Sequence, residues 1–249
     1  MVAAVAVVLI ALRVGNPGIT AGCSTGTGSQ RYTLSPAQAQ NASIIAAVAA
    51  RKGLPDHAVT VALAAALQES RLTDLASGDR DSVGLFQQRP SQGWGTPAQL
   101  QDPNYASTAF YNRLEQLPGW QSMAVTEAAQ AIQHSAAPDA YARWEPEART
   151  LAIALSGEVA AGLTCRLTGF TGAAPPPGEL VAAAASEFGA PSLGVTVDQK
   201  RGWAVATWAV AHAEAYHLRA VAFQGWTWTA SSGVWARGPI FESVVTVAT

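Results

Sequence analysis

One glutamate of this chain follows an apolar segment at a position that suits acid catalysis. Val59, Leu63, Ala66 and Leu67 recur at helical spacing before Glu69, which predicts a helix with a core-facing stripe that ends near Glu69. Unpaired carbonyl groups make a helix end partly negative, and apolar neighbours exclude water. Both effects should raise the pKa of Glu69 and keep its carboxyl protonated near neutral pH. Such a group can donate a proton to a glycosidic oxygen.

A glycine-containing turn with two adjacent amides comes next, in the sequence GDRDSVGLFQQRP. The side chains of Gln87 and Gln88 can both donate to and accept from sugar hydroxyl or acetamido groups. Solvated loop glutamines are the equally weighted alternative. The turn is therefore a candidate wall of a sugar-binding cleft.

The order of these features resembles that of the lytic transglycosylases and goose-type lysozymes. There a helix ends in Glu-Ser, a Gly-Leu-(Met/Phe)-Gln segment follows, and an Ala-Tyr-Asn-like element lies on a later helix. Here the first two are Glu69-Ser70 and Gly84-Leu85-Phe86-Gln87. The third departs, because Ala131-Ile132-Gln133-His134-Ser135 stands where Ala-Tyr-Asn-Ala-Gly is expected. The resemblance covers residues 32–157, about half of the chain, and implies a mainly α, lysozyme-like catalytic domain.

The resemblance also implies a reaction and a set of site residues. The reaction is cleavage of the β-1,4 glycosidic bonds of peptidoglycan, with Glu69 as the catalytic acid. The residues expected at the substrate or directly behind it are Ser70, Gly84, Leu85, Phe86, Gln87, Gln88, Gln133 and Tyr141. A non-catalytic module that binds glycan in an inherited cleft is the alternative, and the departure at Ile132 favours it.

Two enzyme chemistries remain open. In a transglycosylase, the carboxylate that donated the proton takes one back from the sugar's own C6 hydroxyl, which closes an anhydro ring. A muramidase needs a second carboxylate, for which Asp79 and Asp81 are the candidates. Turn formation in a glycine-rich loop, with Arg80 close enough to pair, is the stronger interpretation of both aspartates. We therefore expect a transglycosylase with one catalytic glutamate.

Charge and histidine placement exclude other classes of function. The formal net charge is −2 and the pI is near 6.1, so nothing indicates nucleic-acid binding. His212 and His217 are five residues apart, which places them on different faces of a helix, and His57 and His134 are solitary. We expect no metal ion and no cofactor. The expected partner is the peptidoglycan glycan strand, bound by a monomer.

The N-terminal residues and the two cysteines indicate export. The apolar run from Val2 to Leu12 is too short for a secure membrane span and is typical of a signal-peptide core, so residues 1–22 are predicted to be a signal peptide or membrane anchor. The protein is then secreted or held in the cell envelope. Cys23 and Cys165 flank the catalytic domain and are predicted to form a disulfide. Lipidation of Cys23 is the alternative, because Thr20-Ala21-Gly22-Cys23 is a partial lipobox.

Helix-capping residues and prolines divide the rest of the chain into elements and domains. Residues 23–167 are predicted to be helices and loops only, with helices that begin at Ser35, near Asp56, at Asp102, at Thr126 and at Pro146. Residues 168–178 form a Pro-rich linker. Residues 179–249 are predicted to form a small α/β (α+β) accessory domain with strands at 220–223, 226–229 and 244–247.

The predicted accessory domain is rich in tryptophan. Trp203, Trp208, Trp226, Trp228 and Trp235 fall within a short stretch. They could form a glycan-binding platform, but a small core that uses tryptophan to bury surface is favoured. Because no acid, nucleophile or metal set stands beyond residue 178, we expect this domain to fold separately and to be dispensable for bond cleavage.

Overall fold

Eight α-helices and two small antiparallel sheets form the part of the chain that the structure describes. The structure is a computed structural model and describes residues 21–134, 138–238 and 243–249. The helices are α1 (Pro36–Arg51), α2 (Asp56–Ser70), α3 (Pro97–Leu100), α4 (Pro103–Gln116), α5 (Val125–Gln133), α6 (Glu145–Leu155), α7 (Pro177–Phe188) and α8 (Gln199–Ala211). A mainly helical part followed by a mixed helix and sheet part was predicted and is confirmed at that level.

Local capping determines where the site-bearing helices begin. The Ser35 hydroxyl accepts a hydrogen bond from the Gln38 amide (3.2 Å), and the Gln38 side chain accepts one from the Ser35 amide (2.8 Å). This capping box begins α1 at Pro36, as predicted. The Asp102 carboxylate caps α4 through the Asn104 amide. The predicted cap at Thr126 is two residues too late, because Ala124 precedes the first turn of α5.

Helix α2 is the central element of the helical part. Every residue from Ala58 to Leu67 is buried, and α1, α5, α6 and the 3-10 segment Pro138–Trp144 pack around the helix. Its many alanines let these neighbours approach closely. The end of α2 is therefore held from several sides, and this is where Glu69 lies.

A three-stranded sheet, which the sequence analysis did not expect, lies beside the helices. Its strands are β1 (Gly22–Thr25), β2 (Tyr32–Leu34) and β3 (Leu163–Arg166), in the order β2-β1-β3. Cys23 of β1 lies directly opposite Cys165 of β3, and a disulfide joins them, as predicted. The prediction of helices and loops only over residues 23–167 is thus wrong at its two ends.

The second sheet lies in the C-terminal part, with strand order β6-β5-β4-β7. Strands β4 (Ala220–Phe223) and β5 (Trp226–Thr229) were predicted at these bounds. Strand β6 (Val234–Arg237) was missed, and β7 (Thr246–Ala248) begins later than predicted, since Val244 makes only an isolated bridge to Thr196. The turn of residues 231–233 lies between β5 and β6.

The two parts of the chain share a buried interface. Helix α8 packs against α1 and α6. The indole nitrogens of Trp228 and Trp235 donate hydrogen bonds to the carbonyls of Cys165 (3.0 Å) and Leu163 (2.9 Å). Whether residues 179–249 also fold alone stays a prediction.

Four of the five C-terminal tryptophans are buried. Trp203, Trp208, Trp228 and Trp235 belong to the core, and Trp203 meets Trp235 edge to face with ring centroids 5.5 Å apart. Trp226 is half-buried, with the Arg237 guanidinium 4.3 Å from its ring centroid. The packing supports the interpretation of these tryptophans as a core.

The predicted export segment lies outside the described residues. Val2 to Leu12, at the centre of the predicted signal peptide, belongs to residues 1–20. Within residues 21–134, 138–238 and 243–249, no helix is long and apolar enough to cross a membrane.

Candidate functional site

The carboxyl group of Glu69 lies at the end of α2 among hydrogen-bonding side chains. The Tyr141 hydroxyl donates a hydrogen bond to Oε1 of Glu69 at 2.7 Å, and the Gln133 side chain bonds to the same carboxyl. Burial raises the pKa of Glu69 above its ordinary value, and these two hydrogen bonds offset part of the rise. The predicted direction of the pKa shift is therefore confirmed, with burial as its main cause.

Ser70 attaches the end of the helix to the following loop. Its hydroxyl lies 2.6 Å from the carbonyl oxygen of Leu85 and 3.1 Å from that of Ala66, and donates to both. The side chain is buried. Ser70 therefore positions the loop of residues 84–87 beside Glu69, which explains physically why a Glu-Ser pair precedes a Gly-Leu-Phe-Gln turn.

Gly84 is required by the protein's own backbone. Its φ is +78°, and a Cβ at this position would lie 2.1 Å from the carbonyl oxygen of Leu100. Any other residue would clash there and would also adopt an unfavourable backbone conformation. The resemblance predicts that the backbone approaches a ligand at Gly84, whereas the close approach in the structure is to Leu100 of α3.

The side chains of Leu85 and Phe86 belong to the core and do not face a substrate. Both are buried, and Phe86 stacks on Phe110 with ring centroids 4.8 Å apart. The Phe86 carbonyl instead accepts a hydrogen bond from Gln133 Nε2 at 2.8 Å. These two residues can contact substrate through their backbone only.

The two adjacent glutamines have different surroundings. Gln88 is 2% exposed, its Nε2 donates to the carbonyl of Ala106 (3.2 Å), and its backbone pairs with Val83. Gln87 is half-buried and donates to the carbonyl of Gly84 (3.1 Å). Gln87 is therefore the one placed to offer polar atoms to a ligand, and Gln88 closes the turn.

Ile132 and Gln133 of α5, which depart from the Ala-Tyr-Asn pattern, have different surroundings. Ile132 is buried in the core. Gln133, the next residue, connects the Phe86 carbonyl to the Glu69 carboxyl. The structure therefore brings Glu69, Gln133 and Tyr141 together around one carboxyl group.

Neither candidate for a second carboxylate is held against Glu69 by a described contact. Asp81 accepts hydrogen bonds from the Ser91 amide (2.7 Å), the Ser91 hydroxyl (3.0 Å) and Arg89 (2.9 Å). These bonds hold the pKa of Asp81 well below its usual range. The side chain of Asp79 is 89% exposed and lies 4.0 Å from Arg80. Both arrangements match the loop role that turn chemistry predicted.

The residues that hold the end of α2 in place were not among those predicted from the sequence. Arg71 and Leu72 both have left-handed backbones, with φ of 56° and 59°. Their carbonyls accept hydrogen bonds from the Gln38 and Asn41 side chains of α1, each at 2.8 Å. Only the i, i+3 spacing of Gln38 and Asn41 on α1 could have indicated this role.

Asp74, on the loop after α2, was also overlooked. Its carboxylate lies beside Gly84, since a Cβ on that glycine would be 3.5 Å from Oδ1 of Asp74. Burial, with a contribution from Asp102, raises the pKa of Asp74. Asp74 thus lies at the same turn as the predicted site.

Taken by its chemistry, the site offers one protonatable carboxyl, one phenol and one amide on three separate elements. The phenol and the amide can stabilise the carboxylate that remains after Glu69 has given up its proton.

Neither a scan against protein-family models nor a search of curated proteins found a match for this chain.

Proposed function

We propose that this protein cleaves the β-1,4 glycosidic bonds of peptidoglycan as a lytic transglycosylase, with Glu69 as its catalytic acid and base. The observation that carries the proposal is the environment of the Glu69 carboxyl. It is half-buried, its pKa is raised, and Tyr141 and Gln133 bond to it. A carboxyl in this state is protonated at higher pH than an exposed glutamate, as a general acid requires.

The reaction follows from one carboxyl group that acts twice. Glu69 donates its proton to the glycosidic oxygen, and the electrons of the C1–O bond leave with that oxygen. The resulting carboxylate is stabilised by hydrogen bonds from Tyr141 and Gln133. It then removes the proton of the C6 hydroxyl, whose oxygen bonds to C1 and forms a 1,6-anhydro ring. Glu69 is protonated again at the end of the cycle.

We prefer this chemistry to that of a muramidase because, among the described residues, neither aspartate predicted as a second carboxylate is held against Glu69. Asp81 is fully engaged by Arg89 and Ser91, and Asp79 is exposed. A muramidase would need a different second carboxylate, and Asp74, which lies beside Gly84, is the described candidate. The nature of the product ends decides between the two enzymes.

The test is digestion of purified cell walls by the wild type and by Glu69→Gln. We expect the wild type to release soluble muropeptides with anhydro-muramyl ends, as mass spectrometry identifies them, and Glu69→Gln to release none. Glu115→Gln serves as the matched control, because Glu115, on α4, pairs with Lys52 at the end of α1 and lies outside the site. Reducing muramyl ends would indicate a muramidase instead.

A non-catalytic glycan-binding module predicts another result. Neither protein would then release fragments, while both would still sediment with insoluble walls. Equal release by the wild type and Glu69→Gln would contradict the catalytic role of Glu69.

We also infer that the protein works outside the cytoplasm, as a monomer on glycan strands. The Cys23–Cys165 disulfide supports the location outside the cytoplasm, because such bonds persist in oxidising compartments. Isolation of the protein from the envelope or medium, with the disulfide intact, is the test.

A further inference from the structure

Two arginines lie against one tryptophan ring beside the end of α2. The guanidinium carbon of Arg71 is 3.9 Å from the ring centroid of Trp144, and that of Arg143 is 4.9 Å from it. Arg71 comes two residues after Glu69, and Arg143 two residues after Tyr141, whose hydroxyl bonds to Glu69. Arg143 also donates to Gln68, the residue before Glu69, so both positive charges lie at the end of α2, the helix that carries the proposed catalytic carboxyl.

Gln68 fixes this arrangement. Its Oε1 accepts one hydrogen bond from the Trp144 indole (2.8 Å) and another from Nη2 of Arg143 (2.9 Å). Trp144 is buried, whereas both arginines are exposed. A guanidinium stacked on an aromatic ring can still donate from its edge, as Arg143 does to Gln68, and it loses little further entropy on binding an anion. We name Arg71, Arg143, Trp144 and Gln68 the arginine platform.

No described salt bridge neutralises the positive charge of the arginine platform. Among the described residues, neither Arg71 nor Arg143 forms a salt bridge. Glu147 interacts with Arg71 at longer range, and burial raises the pKa of that carboxyl despite the arginine. The platform therefore presents net positive charge at the end of α2.

The backbone at Arg71 adds a second observation. Arg71 and Leu72 are consecutive left-handed residues, a conformation that costs about 1 kcal/mol or more for a residue other than glycine. Arginine thus stands where glycine would be the ordinary helix-ending residue. Strain of this kind is found where a side chain has a task.

We propose that the arginine platform is a subsite for carboxylates on the peptide substituents of the glycan strand. Guanidinium groups pair with carboxylates through two parallel hydrogen bonds, and free carboxylates are the anionic groups that peptide-bearing muramyl residues offer. The proposal rests on the proposed function and narrows its substrate to strands that still carry acidic peptides. It makes Arg71 and Arg143 specificity-determining residues.

The experiment compares soluble glycan fragments whose peptides have free carboxylates with the same fragments after conversion of those carboxylates to methylamides. The measured quantity is the ratio of kcat/KM on the two substrates. We expect the wild type to favour the acidic fragments by about tenfold, the size of a charge-assisted hydrogen bond. In Arg71→Gln/Arg143→Gln the ratio should fall to near one. In Arg71→Lys/Arg143→Lys part of the preference should remain.

Arg237→Gln is the matched control, because Arg237 also lies against a tryptophan ring, that of Trp226, in the C-terminal sheet. Its ratio should equal that of the wild type. A wild-type ratio near one would overturn the subsite, and so would a double glutamine variant that keeps the wild-type ratio while its overall rate falls.

A binding measurement separates this proposal from the proposed function. Calorimetric titration of acidic and methylamidated fragments into Glu69→Gln needs no turnover. Tighter binding of the acidic fragments, lost when both arginines are also replaced by glutamine, would support the subsite even if the wild type cleaves nothing. Equal binding of both fragments would reject the subsite even if the wild type is an active transglycosylase.

Discussion

The hydroxyl of Tyr141 donates a hydrogen bond of 2.7 Å to Oε1 of Glu69, although the two residues are 72 positions apart in the sequence. The bond favours the ionised form of Glu69, whereas burial favours the protonated form. Burial is the larger effect. The pair thus combines a carboxyl that holds its proton with a donor that stabilises the carboxylate once the proton has left.

Tyr141→Phe removes this donor and should raise the pKa of Glu69 further. We expect the alkaline limb of the pH–activity profile to move to higher pH and kcat to fall by about tenfold, the loss that corresponds to one hydrogen bond to a charged group. Tyr105→Phe is a control, since the one described hydrogen bond of the Tyr105 hydroxyl is a long contact (3.4 Å) with the Trp94 carbonyl. An unchanged alkaline limb in Tyr141→Phe would contradict the assignment.

Glu69→Gln should stabilise the fold at neutral pH. Because the pKa of Glu69 is higher in the folded protein than in the unfolded chain, the stability that the group contributes is complete below its unfolded value and is lost as pH rises through the folded value. The variant has no such loss. Urea unfolding should therefore show a higher free energy of unfolding for Glu69→Gln at pH 8 and a smaller difference at pH 4. A constant difference would show that ionisation of Glu69 plays no part.

Ser70→Ala should loosen the loop of residues 84–87. The substitution leaves the Leu85 carbonyl without its side-chain donor, which costs about 1–3 kcal/mol for a buried acceptor. We expect a lower free energy of unfolding and a lower kcat with an unchanged pH profile, because the Glu69 contacts remain. Ser122→Ala, at an exposed 3-10 turn, is the control. Full activity in Ser70→Ala would show that the loop holds its place without this bond.

The features that sequence analysis predicted correctly depend on short-range interactions. The capping box of Ser35 and Gln38 spans one helical turn, and Asp102 caps α4 two residues away. The raised pKa of Glu69 was predicted because the same helix carries the apolar residues around it. Strand alternation likewise predicted β4 and β5 at their observed bounds.

The features that were missed depend on partners far away in the chain. Strand β1 has no strong strand pattern of its own and pairs with β3, and the two cysteines that join them are 142 residues apart. The role of Gly84 depends on the Leu100 carbonyl. Arg71 and Arg143 looked like ordinary surface residues until the fold placed both against Trp144.

Removal of the disulfide should destabilise the whole fold. The bond closes a loop with a sequence separation of 142 residues, and restriction of the unfolded chain by such a loop corresponds to about 5 kcal/mol in the chain-entropy model. Cys23→Ser/Cys165→Ser should therefore unfold at lower urea concentration than the oxidised protein. Non-reducing peptide mapping of exported protein checks that the bond forms. Recovery of Cys23 with a lipid attached would contradict it.

The contacts of the C-terminal part lead us to expect that a chain shortened to end at Gly169 loses most of its stability. Shortening uncovers the faces of α1 and α6 that α8 covers. It also leaves the carbonyls of Leu163 and Cys165 without their indole donors, and each buried acceptor without a partner costs about 1–3 kcal/mol. Trp235→Phe keeps an aromatic ring and removes only one of these donors. Its free energy of unfolding, measured in urea, should therefore fall by less than that of the shortened chain. A shortened chain that unfolds cooperatively at the urea concentration of the full chain, and that cleaves soluble glycan at the same rate, would instead establish residues 179–249 as the separable, dispensable domain that composition predicts.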